Sequence, residues 1–298
     1  MRLNINSFIS TLSGTLAILM ASCNDEIPSQ PKEFSDGKIK MEFTFSHPDA
    51  TRVTETAFET NDALSLFVCE SNQPLQIAGN TVNNERLQFN GTSWIPTRNL
   101  YWDEGNYNVY AYYPFQDRIN SISDLEFEVQ QDQQNPTASG LNGYEASDFL
   151  FASAVDVAAS TNPVNLKFRH IMSKLSVRLI KGEDFTGDIP TDISVKIHSV
   201  VTKATIDLQA GVATKDMYAE SKTIIAHREN ATTYCAIVVP QRLDGRVPLI
   251  EVTIGNSSYI YESNFQFKPG MHHLVNMVLD KNPEQSTINL GGEIINWN

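Results

Sequence analysis

The side chains best able to do chemistry in this 298-residue chain are its six histidines, three cysteines and 35 acidic residues. The adjacent pair His272-His273 would point to opposite faces of a strand, so a partly exposed strand pair is favoured over a metal site. The chain contains no glycine-rich phosphate loop, no HExxH and no GxSxG. Its carboxylates are dispersed as on a solvated surface, although a glycosidase with two paired carboxylates stays an open alternative. We therefore predict no enzyme, no cofactor and no metal site.

A different chemistry is indicated at Cys23. Residues 7–20 (SFISTLSGTLAILM) carry no charge, are short for a membrane span and end in small residues, as in a secretory signal. The residues before the cysteine, 19–22 (LMAS), resemble the bacterial lipobox, in which the signal is cleaved before the Cys and the new N-terminus is acylated. We predict a signal peptide over residues 1–22 and lipidation of Cys23, the alternative being a buried helix with an incidental cysteine. Two or three acyl chains would make membrane attachment effectively permanent.

The other two cysteines and the net charge limit the remaining possibilities. Cys69 and Cys235 lie in apolar, strand-like runs (SLFVCE and YCAIVV), so two buried thiols are favoured over a disulfide. A formal net charge of −13 argues against nucleic acid as a partner and against electrostatic docking to anionic lipid. After residue 22, no hydrophobic run approaches membrane-spanning length.

The elements that would position these residues are short strands. Residues 23–37 contain two prolines, several charges and little apolar bulk, which predicts a flexible tether. In residues 38–45 (KIKMEFTF) four apolar side chains alternate with polar ones, which predicts a strand with one buried face. Similar runs separated by turn signals follow along the chain, which predicts an all-β fold of two tandem β-sandwich domains.

The predicted domains cover residues 38–162 and 163–298, with the division near Pro163. The polar stretch 130–143 (QQDQQNPTASGLNG) is interpreted as an insertion within the first domain rather than a linker.

Six segments carry a resemblance to a known family. They occur in order along the chain: TRVTETAFETNDALSLFV (51–68), WIPTRNLYWDEGNYNVYAYYPF (94–115), SDFLFAS (147–153), VNLKFRHIMSKLSVRL (164–179), FKPGMHHLVNMVL (267–279) and the terminal IINW (294–297). This ordered set resembles the Bacteroidetes fimbrillin family. The resemblance implies two transthyretin-like sandwich domains in a secreted lipoprotein that serves as a subunit of surface fimbriae. Residues 24–26 (NDE) also resemble the signal that sends lipoproteins of these bacteria to the outer face of the outer membrane.

The resemblance further implies assembly by strand exchange. In that family a protease removes the lipidated N-terminal segment with the first strand, and a strand of the next subunit fills the groove. Here the KIKMEFTF strand would leave, and Arg52 is the candidate cleavage residue, its alternative being a structural arginine of the Thr-Arg motif. The candidate donor is residues 286–298 (STINLGGEIINWN), where Gly291-Gly292 would form a hinge, or else this stretch completes its own domain.

Three functional interpretations follow. The first is a fimbrial structural subunit, whether stalk, tip or anchor, whose partners are other subunits and the outer membrane through the lipid on Cys23. The second is a non-polymerising surface lipoprotein that binds a host glycan or protein. That interpretation needs an exposed aromatic cluster, for which Trp94, Tyr101, Trp102 and Tyr107 are candidates, although aromatic residues at strand spacing more often form core. The third is a glycan-processing enzyme, which nothing in the sequence favours.

Overall fold

The computed structural model describes residues 38–48, 58–280, 287–289 and 294–297 of the chain. In this part the regular structure is β-strand apart from a 3₁₀ turn at Glu145–Ser147, which confirms the predicted all-β class. No helix among these residues is long and apolar enough to span a bilayer.

The strands fall into an earlier and a later group along the chain. The earlier strands are β1 (Ile39–Lys40), β2 (Phe43–Ser46), β3 (Ala63–Glu70), β4 (Val82–Phe89), β5 (Trp94–Pro96), β6 (Tyr101–Trp102), β7 (Asn106–Tyr113), β8 (Leu125–Glu128), β9 (Leu150–Ala158), β10 (Val164–Lys167) and β11 (Arg169–His170). The later strands are β12 (Ser173–Lys181), β13 (Ile193–Val201), β14 (Lys203–Asp207), β15 (Val212–Lys215), β16 (Ser221–Ile225), β17 (His227–Arg228), β18 (Thr233–Val238), β19 (Gln241–Ile254), β20 (Ser257–Phe267), β21 (Met271–Leu279), β22 (Thr287–Asn289) and β23 (Ile294–Asn296).

The first sandwich is built on a six-stranded sheet of order β11-β9-β7-β3-β4-β5. Its opposing layer consists of two strand pairs, β1 with β6 and β2 with β10. Residues such as Leu64, Leu66 and Val109 of the sheet share a core with Trp102 and Leu166 of the opposing layer. The N-terminal strands β1 and β2 cover one side of this core.

The central strands of the six-stranded sheet are buried on both faces. In β3, Leu66 belongs to the core under the N-terminal strands, whereas its neighbour Phe67 belongs to the core on the other side. Phe67 stacks near Tyr112, and Tyr112 stacks on Phe149, with ring centroids 6.4 and 5.3 Å apart. Because both faces are covered, β3 reads ALSLFVCE, a nearly continuous apolar run in place of a polar–apolar alternation.

The second sandwich pairs a sheet of order β16-β13-β19-β20 with a sheet of order β17-β18-β12-β21. Strands β22 and β23 both pair antiparallel with β21 and so extend the second of these sheets. Val195 and Ile250 of the first sheet share a core with Leu175, Ala236 and Met277 of the second. The sandwich architecture expected from the sequence is therefore present.

The domain division between residues 162 and 163 stays a prediction, because strand pairing crosses that point in both directions. After Pro163, β10 pairs with β2 and β11 pairs with β9. Conversely, β8 pairs antiparallel with β14 in a three-stranded sheet that β15 completes. The described residues belong to one compact unit. The two sandwiches therefore share strands across the predicted division.

The polar stretch 130–143 also joins the two sandwiches. Gln133 is fully buried, and its side-chain amide mimics a neighbouring strand: Nε2 donates to the Ile237 carbonyl at 2.8 Å, and Oε1 accepts from the Ile237 N–H at 2.8 Å. The backbone N–H of Gln133 donates to the Ile225 carbonyl at 3.0 Å, and the Ile225 N–H donates to the Gln131 carbonyl at 2.7 Å. This stretch is therefore bonded to the second sandwich as well as connected to the first.

The two adjacent histidines of β21 point to opposite faces, as expected, but His273 is 3 % exposed and is therefore buried, where a partly exposed pair was predicted. The Nε2 atom of His272 lies 2.7 Å from Ser176 Oγ, whereas the His273 ring packs near Phe265 with ring centroids 5.2 Å apart. Burial is the main cause that lowers the pKa of each imidazole to about 4. Among the described residues, no group of three or more His, Cys, Asp or Glu side chains is placed to hold a metal ion.

The amide of Gln133 yields a stability prediction. Gln133→Ala should lower the free energy of unfolding by about 2–4 kcal/mol, because it leaves a buried N–H and a buried carbonyl of Ile237 without these partners. Gln131→Ala, which truncates an exposed side chain of the same stretch, should change it by less than about 0.5 kcal/mol. Urea unfolding followed by tryptophan fluorescence measures both. Equal stability of the two variants would show that the Gln133 bonds contribute nothing net.

The β21 histidines yield a pH prediction. Their folded pKa lies below the ordinary value of 6.5, so the unfolded chain binds more protons than the folded chain between about pH 6.5 and pH 4. Stability should therefore fall as the pH drops through this window. His272→Asn should reduce the slope of unfolding free energy against pH there by about 1.4 kcal/mol per pH unit. Urea titrations from pH 7 to pH 4 measure the slope. An unchanged slope in the variant would contradict a lowered pKa of His272 in the folded protein.

Candidate assembly site

The N-terminal strands lie between two neighbours and change partner midway. Strand β1 pairs antiparallel with β6, with Ile39 opposite Trp102, and the Met41 N–H donates to the Leu100 carbonyl at 2.9 Å. Strand β2 pairs parallel with β10, with Phe43 opposite Val164. The predicted single strand over 38–45 is therefore two short strands, because Met41 and Glu42 mark the switch from one partner to the other.

The side chains of this segment alternate as the sequence predicts. Met41 is buried at 5 % exposure, and Ile39, Phe43 and Phe45 are half-buried and pack against the same core. The intervening Lys40, Glu42 and Thr44 are exposed. One apolar edge of the segment therefore covers the core of the first sandwich.

A set of aromatic rings forms the floor beneath β2. Phe45 packs edge-on against Trp94 at 5.6 Å and stacks on Phe168 at 6.0 Å between ring centroids. Phe43 lies 6.2 Å from the Trp102 ring. Phe58 extends the floor, at 4.9 Å from Trp94. These offset and edge-to-face geometries are the favourable ones for aromatic pairs.

Of the four aromatic residues considered for ligand binding, two are buried and two are half-buried. Trp102 and Tyr107 are 2 and 3 % exposed and pack on each other at 4.9 Å, so both are core residues. Trp94 and Tyr101 are half-buried, and Trp94 contacts Phe45, Phe58 and Phe89. The core interpretation is confirmed for Trp102 and Tyr107.

The C-terminal strands complete a sheet of their own chain. Strand β22 places Ile288 opposite Met277, and β23 places Asn296 opposite Met271. Beyond β23, the backbone N–H of Trp297 donates to the Gly270 carbonyl at 3.0 Å. Trp297 is buried, with 5 % of its surface exposed. The candidate donor is thus placed at the outer edge of the second sandwich.

Several predicted site residues lie outside the described residues, namely Cys23, residues 24–26 and Arg52. Lipidation of Cys23 and cleavage at Arg52 therefore stay predictions. Cys69 and Cys235 are described, and each is a buried thiol, as expected, with no disulfide between them. Cys235 Sγ lies 3.1 Å from Ser176 Oγ.

A pocket of about 450 Å³ opens beside His47 and contains four carboxylates, those of Glu59, Asp62, Glu145 and Asp148. Asp62 accepts hydrogen bonds from the Glu59 N–H at 2.7 Å and the Tyr113 hydroxyl at 3.1 Å, and burial raises its pKa. Asp148 lies 2.9 Å from His170 Nδ1. Both of these carboxylates therefore hold neighbouring elements together, and the pocket does not strengthen the glycosidase interpretation.

Sequence reasoning missed the contact between His170 and Trp297. The two rings are parallel within 5° and their centroids lie 3.6 Å apart. The residues are distant in sequence, and neither shows a spacing that predicts the contact. Both residues do lie in segments that resemble the fimbrillin family, residues 164–179 and 294–297. That resemblance was the one feature of the sequence that marked them.

Comparison with known proteins supports the fold and identifies the family. The fold resembles the crystal structures of two proteins assigned to cell adhesion, one from Bacteroides ovatus and one from Bacteroides uniformis. They show 20 and 17 % identity and TM-scores of 0.69 and 0.67, covering 88 and 89 % of this chain and 98 and 99 % of theirs. At this identity the likeness supports the fold alone.

A curated relative and a family profile carry the sequence evidence. Fim1C of Bacteroides ovatus, provisionally named a fimbrium tip subunit, is 28 % identical over 187 residues, which cover 55 % of this chain and 34 % of Fim1C. The chain therefore matches about a third of that relative's length. The profile of the fimbrillin-like family matches residues 51–297. The chain belongs to the fimbrillin-like family.

Proposed function

We propose that this protein is a structural subunit of cell-surface fimbriae, brought to the outer membrane as a lipoprotein through Cys23. It assembles with other subunits by strand exchange after losing its N-terminal strand, and the fimbria serves adhesion. The observation that carries the proposal is the place of β1 and β2, which lie between β6 and β10 and cover a core. Family membership supports the fimbrial role.

The energetics favour replacement of this segment over simple loss. Full burial of a large apolar side chain stabilises the folded state by about 1.5–3 kcal/mol. Full burial of the four apolar side chains in residues 39–45 would therefore contribute about 6–12 kcal/mol. The upper limit applies only to full burial, and Ile39, Phe43 and Phe45 are half-buried. Removing the segment would also break its backbone bonds with β6 and β10. A strand of the same alternation from another subunit would restore both terms.

The donor in this proposal is the stretch 286–298. Its described strands, β22 and β23, are three residues each and occupy the edge of their sheet beyond β21. An edge strand breaks pairing with one neighbour when it leaves, whereas an inner strand breaks pairing with two. This placement supports β22 and β23 as exchangeable elements.

One observation also fits the alternative, a non-polymerising surface lipoprotein that binds a host glycan or protein. The strands β22 and β23 pair with their own β21, as they would in a chain that never exchanges strands. Fim1C is named as a tip subunit, and this favours a place for the present chain at the end of the fibre. Processing of the N-terminus separates polymerising subunits from chains that keep their first strand.

The aromatic floor beneath β2 yields a prediction about strand release. Phe45→Ala should lower the free energy of local opening of the N-terminal strands by about 2–4 kcal/mol, because it removes the ring that packs on Trp94 and Phe168. Thr44→Ala, an exposed change in the same strand, should have little effect. Amide hydrogen exchange over residues 39–46 measures the loosening. Similar exchange in the two variants would contradict the proposed anchoring by Phe45.

The candidate cleavage residue yields the direct test of the proposed function. N-terminal sequencing of protein recovered from the cell surface should give a start immediately after Arg52. Arg52→Ala should leave the first strand attached and abolish incorporation into high-molecular-weight fimbriae, whereas Arg242→Ala, at an exposed arginine, should not. An intact acylated Cys23 on the assembled wild-type protein would contradict the processing step and favour an anchor or a stand-alone receptor.

A further inference from the structure

His170 contacts a residue near each end of the described chain, His47 and Trp297. It belongs to β11, in the short connection between β10 of the first sandwich and β12 of the second. Its side chain is 3 % exposed, and Nδ1 lies 2.9 Å from Asp148 Oδ1. The ring is therefore held in one orientation inside the protein.

One face of the His170 ring holds the C-terminal strand. The Trp297 indole stacks on it with centroids 3.6 Å apart and planes within 5°. The ammonium of Lys174 lies 5.7 Å from the centroid of the same indole, and Lys174 is itself 4 % exposed. A buried tryptophan with a stacked ring and a nearby cation is the kind of anchor that dominates the binding energy of a docked strand.

The residue that follows the N-terminal strand also contacts His170. His47, directly after β2, lies edge-on to His170 with ring centroids 6.0 Å apart. The backbone is linked as well, because the Phe168 N–H donates to the Ser46 carbonyl at 3.0 Å and β10 pairs along β2. Strand β2 therefore supports both the His170 ring and the backbone that carries it.

We propose that His170 is a positioning residue that couples the two terminal strands: while β2 is seated, His170 keeps Trp297 docked, and loss of β2 loosens the C-terminal strand. This inference rests on the proposed function, in which the first strand leaves and the last strand is donated. It gives assembly an order, since a chain that has kept its first strand also keeps its donor strand folded back. The contacts run without a gap from β2 through His47 and His170 to Trp297.

A double-mutant cycle on the intact chain tests the coupling through amide hydrogen exchange. His47→Ala should lower protection of the C-terminal strands by about threefold to thirtyfold, and Trp297→Ala should lower protection of residues 43–46 by a similar factor. The double variant should lose less protection than the product of the two single losses. Lys38→Ala, which breaks an exposed ion pair to Asp103 at the start of the same segment, should leave the C-terminal strands unchanged.

The role of His170 is tested by repeating the cycle in a His170→Ala background, where the two effects should become multiplicative. His170→Gln serves if the alanine variant does not fold, and amides of β13 and β19 report global unfolding in every sample. Multiplicative effects in the wild-type background, or no C-terminal response to His47→Ala, would overturn the coupling. If that happens while surface protein starts after Arg52, the proposed function stands and the coupling fails. If the cycle shows coupling while the surface protein starts at Cys23, the coupling stands and the proposed function fails.

Discussion

The rest of the structure depends on the burial of one apolar edge, that of residues 39–45, between β6 and β10. The six-stranded sheet of the first sandwich presents Leu64, Leu66 and Val109 to this side, and the opposing layer is complete only with β1 and β2 in place. Because the segment changes partner at Met41 and Glu42, it bonds to β6 on one side and β10 on the other. In the proposed exchange, a strand with the same alternation from another subunit would take the place of this segment.

The links between the two sandwiches determine how loss of that segment would be felt elsewhere. Strand β8 pairs with β14, and the Gln133 amide substitutes for a strand beside Ile237. The connection at His170 differs from these two, because it contacts both terminal strands. If β2 left as proposed, the first two links would keep the sandwiches joined, whereas the third would lose its contact with His47. That difference would allow one terminus to respond to the other while the body of the protein stays folded.

Local pattern was enough for the fold class and for the inward-facing side chains of residues 39–45, because polar–apolar alternation in KIKMEFTF reports directly which side chains are buried. The ordered family segments were enough for the family, which the profile match over residues 51–297 confirms. The partner change at Met41, the pairing of β8 with β14 and the stack of His170 on Trp297 could not be predicted, since each joins residues distant in sequence and leaves no local periodicity. Lipidation of Cys23 and cleavage at Arg52 stay predictions, because both positions lie outside the described residues.

In the proposed assembly, a strand of another chain takes the place that residues 39–46 occupy between β6 and β10. The most direct measurement is a cryo-electron microscopy reconstruction of fimbriae isolated from cells, at a resolution that identifies side chains in the seam between β6 and β10. We expect density there for a strand from a neighbouring subunit, with apolar side chains against Trp94, Trp102 and Phe168. Density for the chain's own Phe43 and Phe45 in that seam would contradict it.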